Sequence, residues 1–589
     1  MNKVEIFELA VANQFNFLKQ DPSIFESIIK SIPIDGFGFL APINYSHLGN
    51  DAVISLFTHW RNTASNNLSE NLKVTHSSTK RWITAELLER EGSILFLIYE
   101  NSGNIVGHIG FSNCINEFQN FQLDYLVKGS PDTTQGIMGA ATKSLIEWAR
   151  TTLNVETFSL RVMNNNEHGI RFFENNGFHR SSNLAIKKTI SEYIGDNSDP
   201  GPDNLDQNFI EMVFADDRAV GDSLILTAGP SISQKESFYA YDAAKNGWNS
   251  QWSKYLTKFE NTFAEFVGAK YAISTSSCTG ALQIALMALD IGPGDEVIVP
   301  DETWVASANA IRYVGAIPIF ADVEIDSWNL DATSIETVIT DRTKAIIVVH
   351  MYGGPARMDK IMEIAKRYSL KVVEDAAPAI GAKFDGKSCG TFGSFGAYSF
   401  QGAKLLVTGE GGMLVTDDEV LYRKAHKIAD QGRNPNKVFW IDEDGVKFKM
   451  SNVQAAIGLG QIERANELIA MKRRIFSWYE RELADVEGIT LNKEIENAYS
   501  IYWMSSIRLD ESLSVTRDVL IQELKLRNVD SRPVFPAISK YPIWPKKQEP
   551  KQTADLLGRT AMNLPSGVCL TEGQVVYICD QIKIILGEK

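Results

Sequence analysis

Cysteine and histidine are scarce in this chain of 589 residues, with five of the first and eight of the second. The cysteines, at positions 114, 278, 389, 569 and 579, form no Cys-x-x-Cys pair and no spaced metal-binding set with the histidines. We therefore expect neither a disulfide framework nor a metal site. The pattern indicates reduced thiols and a cytoplasmic setting.

Long apolar runs and basic runs are also absent. No stretch reaches the roughly 18 apolar residues that a membrane-spanning helix needs. The N-terminus has Glu5 among its first residues and lacks the basic start of a signal peptide. The formal net charge is −15. We therefore expect neither nucleic acid nor an anionic membrane as a partner.

What the chain does have is an ordinary globular composition over a great length. Hydrophobic residues make up 44% and charged residues 22%, which suits a protein that buries sizeable cores. Because one domain usually takes about 100–200 residues, the length predicts more than one domain.

The candidate for a reactive lysine is Lys404, in the run SFQGAKLLVTG from Ser399 to Gly409, which the residues EGG complete. A lysine attacks a carbonyl only when its amine can lose its proton and is held close to that carbonyl. Glycines at positions 402, 409, 411 and 412 allow such a close approach. The alternative is a lysine that merely solvates a loop, and the neighbouring motifs weigh against it.

A strand-end carboxylate precedes the lysine run. The apolar and β-branched residues from Leu370 to Val373 lead into Glu374 and Asp375. This predicts a buried strand that delivers a carboxylate at its C-terminal end, where open α/β sheets place ligand-binding groups. Pyridoxal phosphate needs a carboxylate opposite its ring nitrogen, and Asp375 suits that role. The alternative is a helix N-cap without chemistry.

A third element, STSSCTG at 274–280, lies directly before the helical pattern ALQIAL at 281–286. Small residues at a helix start expose backbone N–H groups to an anion such as the cofactor's phosphate. Ser399 can add a hydroxyl from the lysine run. A serine-rich helix cap without a ligand would have a similar sequence.

The order of these three elements resembles the DegT/DnrJ/EryC1/StrS family of sugar aminotransferases. The resemblance covers roughly residues 222–589 and includes GPGDEV at 292–297, ASANA at 306–310 and MSNVQAA at 450–456. Within the family the chain most resembles the perosamine synthases, which aminate C4 of a GDP-linked 4-keto-6-deoxy sugar.

The resemblance implies a fold-type I aminotransferase, with an α/β/α large domain and a smaller C-terminal α+β domain. It implies pyridoxal phosphate as the cofactor, L-glutamate as the amino donor and a homodimer, because the family builds each cofactor pocket across two subunits. A branch of the family that dehydrates its substrate has histidine at the lysine position. Lys404 therefore favours transamination.

The resemblance also implies roles for single residues. Lys404 would bind the cofactor covalently and carry protons, and Asp375 would pair with its ring nitrogen. Ser399 and the amides of Cys278 and Thr279 would hold the phosphate. Trp304 would stack on the cofactor ring, although a tryptophan after a strand is more often part of a core.

Three further positions concern the substrate and the neighbouring subunit. Lys447 stands where the family usually has an asparagine that reaches the phosphate of the neighbouring subunit, and a lysine could serve the same anion. Arg532 is a candidate for binding the diphosphate of the sugar nucleotide or the glutamate donor, and a surface arginine is the alternative. Pro378 stands where many relatives have glutamine, glutamate or histidine, and proline offers no side-chain hydrogen bond.

An aminotransferase of this type takes little more than the C-terminal 60% of the chain, so a second module precedes it. Three segments there, Ile94–Tyr99, Ile105–Phe111 and Phe121–Val127, predict consecutive antiparallel strands with a hairpin turn at 101–104. The loop from Gln135 to Ala140 then opens an amphipathic helix predicted over residues 141–150, an arrangement suited to a pyrophosphate. A simple turn is the alternative for this glycine-containing loop.

Together with Trp60-Arg61-Asn62, the run NEHGIRFFENNGF at 166–178 resembles the GNAT acetyltransferases. The resemblance implies a mixed, mostly antiparallel sheet flanked by helices, with acetyl-CoA as co-substrate. The strand backbone at Leu126 and Val127 would bind the pantetheine arm, which Asn166 would support. The amides of the helix-opening loop would bind the pyrophosphate, namely those of Gln135, Gly136, Met138, Gly139 and Ala140.

The chain departs from the GNAT pattern at Phe173, because many relatives use a tyrosine in this segment to protonate the leaving thiolate. The sequence identifies no general base. Glu147, Asp124 and His168 are available, but each is better interpreted as a solvated helix or loop residue. A module that binds coenzyme A without catalysis is therefore the alternative function.

These inferences combine into a bifunctional enzyme of the α/β class that aminates a sugar nucleotide and then acetylates the new amine. The predicted organisation is an N-terminal extension of unknown role at 1–35, a GNAT-like domain at 36–217 and the aminotransferase domain at 218–589. The linker is predicted near residues 216–222, and the loop at 196–202 is the rival boundary.

Overall fold

The computed structural model describes residues 3–20, 30–66, 74–115, 120–129, 133–153, 155, 157–163, 166–180, 186–188, 207–214, 221, 223–434, 436–544 and 548–587. The chain divides into two compact units. The first comprises Met1–Ala219 and Ser233–Phe238, and the second comprises Val220–Ile232 and Tyr239–Lys589. Of the predicted linker only Gly221 is described, and the rival boundary at 196–202 lies outside the described residues.

The strands of the first unit are β1 (Ile32–Ile34), β2 (Gly38–Pro42), β3 (Ile94–Glu100), β4 (Ile105–Ser112), β5 (Asn120–Lys128), β6 (Thr157–Met163), β7 (Phe178–Arg180), β8 (Ile186–Lys188) and β9 (Gln207–Phe214). Its helices are α1 (Lys3–Lys19), α2 (Asp51–Asn66), α3 (His76–Trp82, continued by a π-helical turn at Ile83–Leu88), α4 (Ile137–Leu153) and α5 (Glu167–Glu174).

The strands of the first unit form one sheet in the order β1-β2-β3-β4-β5-β6-β9-β7, with β8 also paired to β9. All neighbours are antiparallel except β5 and β6. The three strands predicted as consecutive and antiparallel are β3, β4 and β5, and the predicted helix lies within α4. The mixed, mostly antiparallel sheet is therefore confirmed.

Helix α1 gives the N-terminal extension a structural role. Val11, Phe15 and Leu18 are fully or almost fully buried, and they belong to the same core as Phe96, Phe111 and other side chains on one face of the sheet. Helix α1 thus covers part of a sheet face that would otherwise expose apolar side chains to water.

The strands of the second unit are β10 (Tyr271–Thr275), β11 (Glu296–Pro300), β12 (Ile317–Ala321), β13 (Thr343–Val349), β14 (Lys371–Asp375), β15 (Lys383–Phe384), β16 (Lys387–Ser388), β17 (Phe395–Ser399), β18 (Gly412–Thr416), β19 (Ile489–Leu491), β20 (Ala498–Tyr499), β21 (Ser506–Leu509), β22 (Arg532–Pro533) and β23 (Ala561–Asn563).

The helices from residue 234 onward are α6 (Gln234–Asn246), α7 (Lys254–Val267), α8 (Cys278–Ala288), α9 (Ala306–Tyr313), α10 (Ala332–Val338), α11 (Met358–Arg367), α12 (Glu419–Ala429), α13 (Asn452–Ile462), α14 (Ala465–Leu483), α15 (Arg517–Leu526), α16 (Gln552–Thr560) and α17 (Glu572–Leu586). Short 3-10 turns lie at Tyr45–Gly49, Asn249–Gln251, Met351–Gly353 and Ile538–Lys540.

The large sheet of the second unit has the order β10-β18-β17-β14-β13-β11-β12. Strands β12, β11, β13, β14 and β17 are parallel, whereas β18 is antiparallel to both of its neighbours. Strands such as β13, with the sequence TKAIIVV, are buried on both faces, as expected of parallel strands covered by helices. The carboxyl ends of β11, β13 and β14 therefore meet at one edge.

A smaller C-terminal region completes the second unit. It contains the antiparallel sheet β19-β21-β23-β22 and the helices α15 and α17, whose apolar side chains share a separate core. The predicted division into a large α/β/α domain and a smaller α+β domain is confirmed.

Two chemical expectations can be compared with the whole fold. None of the five cysteines forms a disulfide in the described structure, and Cys569 alone among them is exposed. In the part of the chain that the structure describes, no helix is long and apolar enough to cross a bilayer.

Candidate active sites

Asp375 ends strand β14 at the edge where the parallel strands stop. Its side chain is buried, and its Oδ2 accepts a hydrogen bond from the Ser307 hydroxyl at 2.7 Å. Its Oδ1 accepts from the Ala377 amide at 3.1 Å and from the Cys278 thiol at 3.7 Å. No helix begins here, so the helix-cap alternative is wrong. These hydrogen bonds hold the carboxylate in the interior of the second unit.

Lys404 lies half-buried in the loop between β17 and β18. Its Nζ lies 3.8 Å from the centre of the Trp503 indole. Burial lowers the pKa of Lys404 to about 8, against the opposing effect of the negative charge of Asp375 and of nearby Cys278. At neutral pH about one amine in ten is then unprotonated, whereas an ordinary lysine has fewer than about one in a thousand. Lys404 therefore has the properties of a nucleophile.

The predicted anion site lies at the N-terminus of α8. Ser277 caps the helix by accepting a hydrogen bond from the Gly280 amide at 3.1 Å, which leaves the amides of Cys278 and Thr279 without an acceptor among the described residues. A Cβ at Gly412 would lie about 2.5 Å from the backbone of Ser277. Glycine is required there because strand β18 passes directly against the helix end.

Ser399 lies beside this helix end. In the large sheet Gly412 pairs with Thr275 on one side and with Ser399 on the other, so all three residues lie in one row. The Ser399 side chain is buried, and its hydroxyl accepts only a long hydrogen bond, 3.4 Å, from the Gln401 amide. Its donor proton remains available to an anion bound at the helix N-terminus.

In the first unit, strand β5 separates from β6 partway along its length. The two strands pair only from Asn120 to Leu123. Beyond that point β5 stays paired with β4, where His108 lies opposite Val127 and the register shifts between His108 and Gly110. On its other side the backbone of Leu126 and Val127 has no strand partner among the described residues. This opening can accept an extended ligand through backbone hydrogen bonds.

His108 fixes the backbone where β5 turns away. Its Nδ1 donates to the Tyr125 carbonyl, and Tyr125 has a φ of 56°, which is unusual for a bulky residue. The imidazole packs between the Phe57 and Trp60 rings, with centroid distances of 5.1 and 5.3 Å. Burial lowers the pKa of His108 to about 4, so the ring is neutral at physiological pH.

The loop before α4 offers a second set of free amides. Gly136 has a φ of 93° and turns the chain into the helix. Among the described residues, the amides of Gln135, Gly136, Met138 and Gly139 have no acceptor, whereas the Ala140 amide donates to the Gly136 carbonyl at 3.0 Å. The anion site predicted here therefore has one amide fewer than expected, because the Ala140 amide already donates this hydrogen bond.

The side chains named for this cleft are less distinctive. Asn166 is exposed and caps α5 through its Oδ1, which accepts from the Gly169 amide at 2.9 Å. Phe173 is half-buried against Phe172 and Phe178. Glu147 and His168 are exposed, as the solvated interpretation expects. Asp124 accepts hydrogen bonds from the Ser112 hydroxyl and the Tyr125 amide, which is a structural use.

Comparison with known proteins identifies both units. Residues 230–583, more than half of the chain, match the DegT/DnrJ/EryC1/StrS aminotransferase family. The chain belongs to this family. Residues 50–179 match the acetyltransferase (GNAT) domain, which the chain therefore also carries.

Individual relatives agree with this assignment. GDP-perosamine synthase from Caulobacter vibrioides is 40% identical over 61% of this chain and 98% of that protein. GDP-perosamine synthase from Escherichia coli O157:H7 is 41% identical over 61% and 98%, respectively. Among solved structures, the aminotransferase from Psychrobacter cryohalolentis is 30% identical, with a TM-score of 0.58 over 60% of this chain and 97% of that one. The second unit is a fold-type I, pyridoxal phosphate-dependent sugar aminotransferase.

The residues of the second unit fit that cofactor. The half-buried amine of Lys404 and the buried carboxylate of Asp375 both lie beside the Cys278 thiol, at the helix end with two free amides. Pyridoxal phosphate requires an amine, a carboxylate and an anion site in one pocket. The fold brings together the three elements that are separated in the sequence.

The remaining positions differ in what surrounds them. Trp304 is 57% exposed, and its ring centroid lies 5.4 Å from that of Phe535, so its interpretation as a core residue is wrong. Arg532 is also exposed, and its guanidinium lies 3.3 Å from Asp530. Lys447 Nζ lies 3.5 Å from Asp430 Oδ1, and Lys449 Nζ lies 3.0 Å from the other carboxylate oxygen of Asp430.

Sequence reasoning missed several residues that support this DegT-family site. Ser307 orients Asp375, but a serine in the first turn of a helix has no distinctive signal. His350 and Glu374 are completely buried, and His350 Nε2 lies 3.1 Å from a Glu374 carboxylate oxygen. Glu374 also accepts hydrogen bonds from the amides of Gly390, Phe392 and Gly393. Glu374 directly precedes Asp375 in the sequence, so the Glu-Asp pair was the signal that could have revealed its structural role.

Pro378 is buried just after the aspartate. Its side chain adds no hydrogen-bonding group at this place, as the sequence indicates.

Proposed function

We propose that the chain carries out two consecutive reactions on a nucleotide-linked 4-keto-6-deoxy sugar, and that the nucleotide is GDP. The second unit aminates C4 with L-glutamate as the donor, and the first unit acetylates the new amine with acetyl-CoA. The relatives named GDP-perosamine synthase support the sugar nucleotide. The observation that carries the proposal is the lowered pKa of Lys404 at a pocket with Asp375 and a free helix N-terminus.

Lys404 binds the cofactor and moves protons in this mechanism. With a pKa of about 8 its amine exists in both protonation states near neutral pH, so it can take a proton from the donor carbon and return one to C4 of the sugar. The glycines around it leave room for two substrates in turn.

Asp375 and the α8 N-terminus fix the cofactor's two ends. Bound pyridoxal phosphate supplies an electron sink for the bond broken at the carbon next to nitrogen. Asp375, oriented by Ser307, holds the positive ring nitrogen. Ser399 and the amides of Cys278 and Thr279 hold the phosphate, helped by the helix dipole.

Three exposed residues complete the proposed aminotransferase site. Trp304 stacks on the cofactor ring, and Arg532 binds the diphosphate or the donor carboxylate. Lys447 contacts the phosphate in a second copy of the chain. The loop that precedes it supports a homodimer, since Val438 and Phe439 are 86% and 96% exposed and such apolar surface is usually covered.

In the first unit the sugar amine attacks the thioester carbonyl. A C–N bond forms, the C–S bond breaks, the amine loses a proton and coenzyme A leaves as a thiolate that gains one. The free backbone at Leu126 and Val127 binds the pantetheine arm, and the loop amides bind the pyrophosphate. Asn166 supports the arm with the amide group that its helix cap leaves available. Positioning supplies much of the rate, because a neutral amine needs little activation.

The proposed domain boundaries are 36–217 for the acetyltransferase part and 218–589 for the aminotransferase part. Residues 1–35 add α1 and β1 to the first unit.

A mass-spectrometric assay tests the proposal. The purified chain receives GDP- or dTDP-4-keto-6-deoxy sugar with L-glutamate, with and without acetyl-CoA. We expect a 4-amino sugar nucleotide without acetyl-CoA and its N-acetyl derivative with it. Absence of the amine with both nucleotides contradicts the first reaction.

The second candidate function for the first unit is coenzyme A binding without catalysis. Phe173 favours it, since no phenol is present at this place to protonate the thiolate. Incubation of the pure 4-amino sugar nucleotide with acetyl-CoA separates the two candidates. Release of free thiol above background supports acetylation, and binding of acetyl-CoA without release supports the second candidate.

A further inference from the structure

Trp503 makes contacts with the reactive lysine that no sequence motif indicated. Its indole lies under the Lys404 amine at 3.8 Å from the ring centre. Its Nε1–H donates to the Ala403 carbonyl at 2.8 Å, one residue before the lysine. A single side chain thus contacts both the charged end of Lys404 and the backbone that carries it.

Trp503 is itself held from two directions. It is only 6% exposed, and its ring stacks on Tyr352 with 6.1 Å between centroids and 18° between planes. Its backbone carbonyl accepts a 2.8 Å hydrogen bond from Lys472 Nζ, which also donates to the Ser566 carbonyl. Because Lys472 is buried on α14, it ties the loop of Trp503 to the C-terminal region. The indole cannot easily move away from Lys404.

We propose that Trp503 is a positioning residue for Lys404. The indole of Trp503 holds the Lys404 ammonium on its ring face, and its N–H group anchors the loop through the Ala403 carbonyl. This rests on the role proposed for Lys404. A lysine that bonds reversibly to a carbonyl must also exist as an unbonded amine, and part of that amine is protonated. The resulting ammonium, in a pocket sheltered from water, needs a partner that stabilises its charge. The electron-rich face of an indole is such a partner, and it leaves the lysine free to react.

The charged or titratable groups that act on Lys404 are Asp375 and Cys278, in addition to the ring. Asp375 stabilises the ammonium, and burial disfavours it. The ring face adds to the effect of Asp375, so its removal should lower the pKa of Lys404 further.

The test measures the amine directly in the full-length chain freed of pyridoxal phosphate. Acetic anhydride labels Lys404 as a function of pH, and mass spectrometry of its peptide gives the pKa. In Trp503→Leu, which keeps an apolar wall but no ring, we expect a pKa lower by about one unit. An unchanged or raised pKa would overturn the cation–ring contact.

Trp503→Phe separates the two contacts, because it keeps a ring face and loses the N–H group. We expect a pKa close to that of the natural chain, with the Kd for pyridoxal phosphate raised about tenfold as the Ala403 anchor is lost. An unchanged Kd would overturn the anchoring role.

The matched control is Trp478→Leu, which removes a buried tryptophan from the separate core of the smaller C-terminal region. It should lower thermal stability about as much as Trp503→Leu and leave the pKa of Lys404 unchanged. An equal pKa shift in this control would reduce Trp503 to a structural residue. The proposed aminotransferase role is tested separately. Borohydride treatment of the natural chain with pyridoxal phosphate should add a phosphopyridoxyl group to Lys404, which mass spectrometry detects.

Discussion

The two candidate sites of this chain are built from different chemical groups. The proposed aminotransferase pocket of the second unit depends on charged side chains, above all the half-buried Lys404 and the buried Asp375. The proposed acetyl-CoA cleft of the first unit depends on backbone groups, namely the edge of β5 that has no strand partner among the described residues and the amides before α4. Charged side chains in a pocket need specific residue types, whereas any residue except proline provides a backbone N–H group. Individual residues of the sequence therefore indicate the pocket of the second unit, whereas the cleft of the first unit is recognised mainly from its fold.

The strongest test of this contrast is Lys404→Ala. Because Lys404 holds the cofactor and moves the proton in our proposal, we expect amination to fall by on the order of 10⁵-fold. Acetyl transfer to a supplied amino sugar should remain unchanged, since it uses the first unit. Product formation in both assays is measured by mass spectrometry. Amination at the natural rate would contradict the role of Lys404.

A smaller loss is expected from Asp375→Asn, which keeps the shape and removes the charge opposite the cofactor's ring nitrogen. Steady-state kinetics should show kcat for amination lower by about 10²–10³-fold.

Ser307→Ala is the matched control for Asp375. It keeps the carboxylate and removes only the 2.7 Å hydrogen bond that orients it, so the expected loss is about tenfold. If the asparagine variant retained the natural rate, the charge of Asp375 would have no part in catalysis.

The acetyltransferase cleft should show a dependence of stability on pH. The pKa of His108 is lowered by burial to about 4 in the folded unit and is about 6.5 when unfolded. The neutral ring therefore contributes fully above pH 6.5, and this contribution is lost as the pH falls towards 4. The free energy of unfolding of the first unit should drop by about 3 kcal/mol across this range.

The comparison is made with His108→Gln, which can still donate to the Tyr125 carbonyl but does not titrate. Hydrogen exchange of β4 peptides in the full chain follows the first unit as a function of pH. An equal loss of protection in both proteins would show that other groups cause the acid sensitivity.

The smallest effect concerns Asn166, the one side chain assigned to the acetyl-CoA arm. Asn166→Ser keeps a helix cap and removes the amide group, so the Kd for acetyl-CoA should rise about tenfold with stability unchanged.

Asn166→Ala loses both the cap and the amide, and it should in addition reduce the stability of the first unit by about 1 kcal/mol. Calorimetry gives both quantities. Natural affinity in the serine variant would show that Asn166 is only a cap and that this cleft recognises its ligand by backbone alone.

The sequence predicted a large part of the aminotransferase site. Lys404, Asp375 and the α8 N-terminus were identified because each element has a local pattern, and the structure brings all three together. Ser307 and Trp503 were not identified, because their importance comes from contacts with residues 68 and 100 positions away. The extension at 1–35 stayed without a role for the same reason, since only packing shows that α1 covers the sheet.

The amino-acid sequence by itself determined local elements that carry the two candidate sites, among them β3, β4, β5, β14 and the start of α8, because hydrophobic period and turn residues act over a few neighbours. The tertiary structure alone decided how far the Lys404 amine is removed from water, where β5 leaves β6, and which ring lies beneath the lysine. Burial and cross-strand register depend on residues far apart in the chain, and only the packed fold sets them.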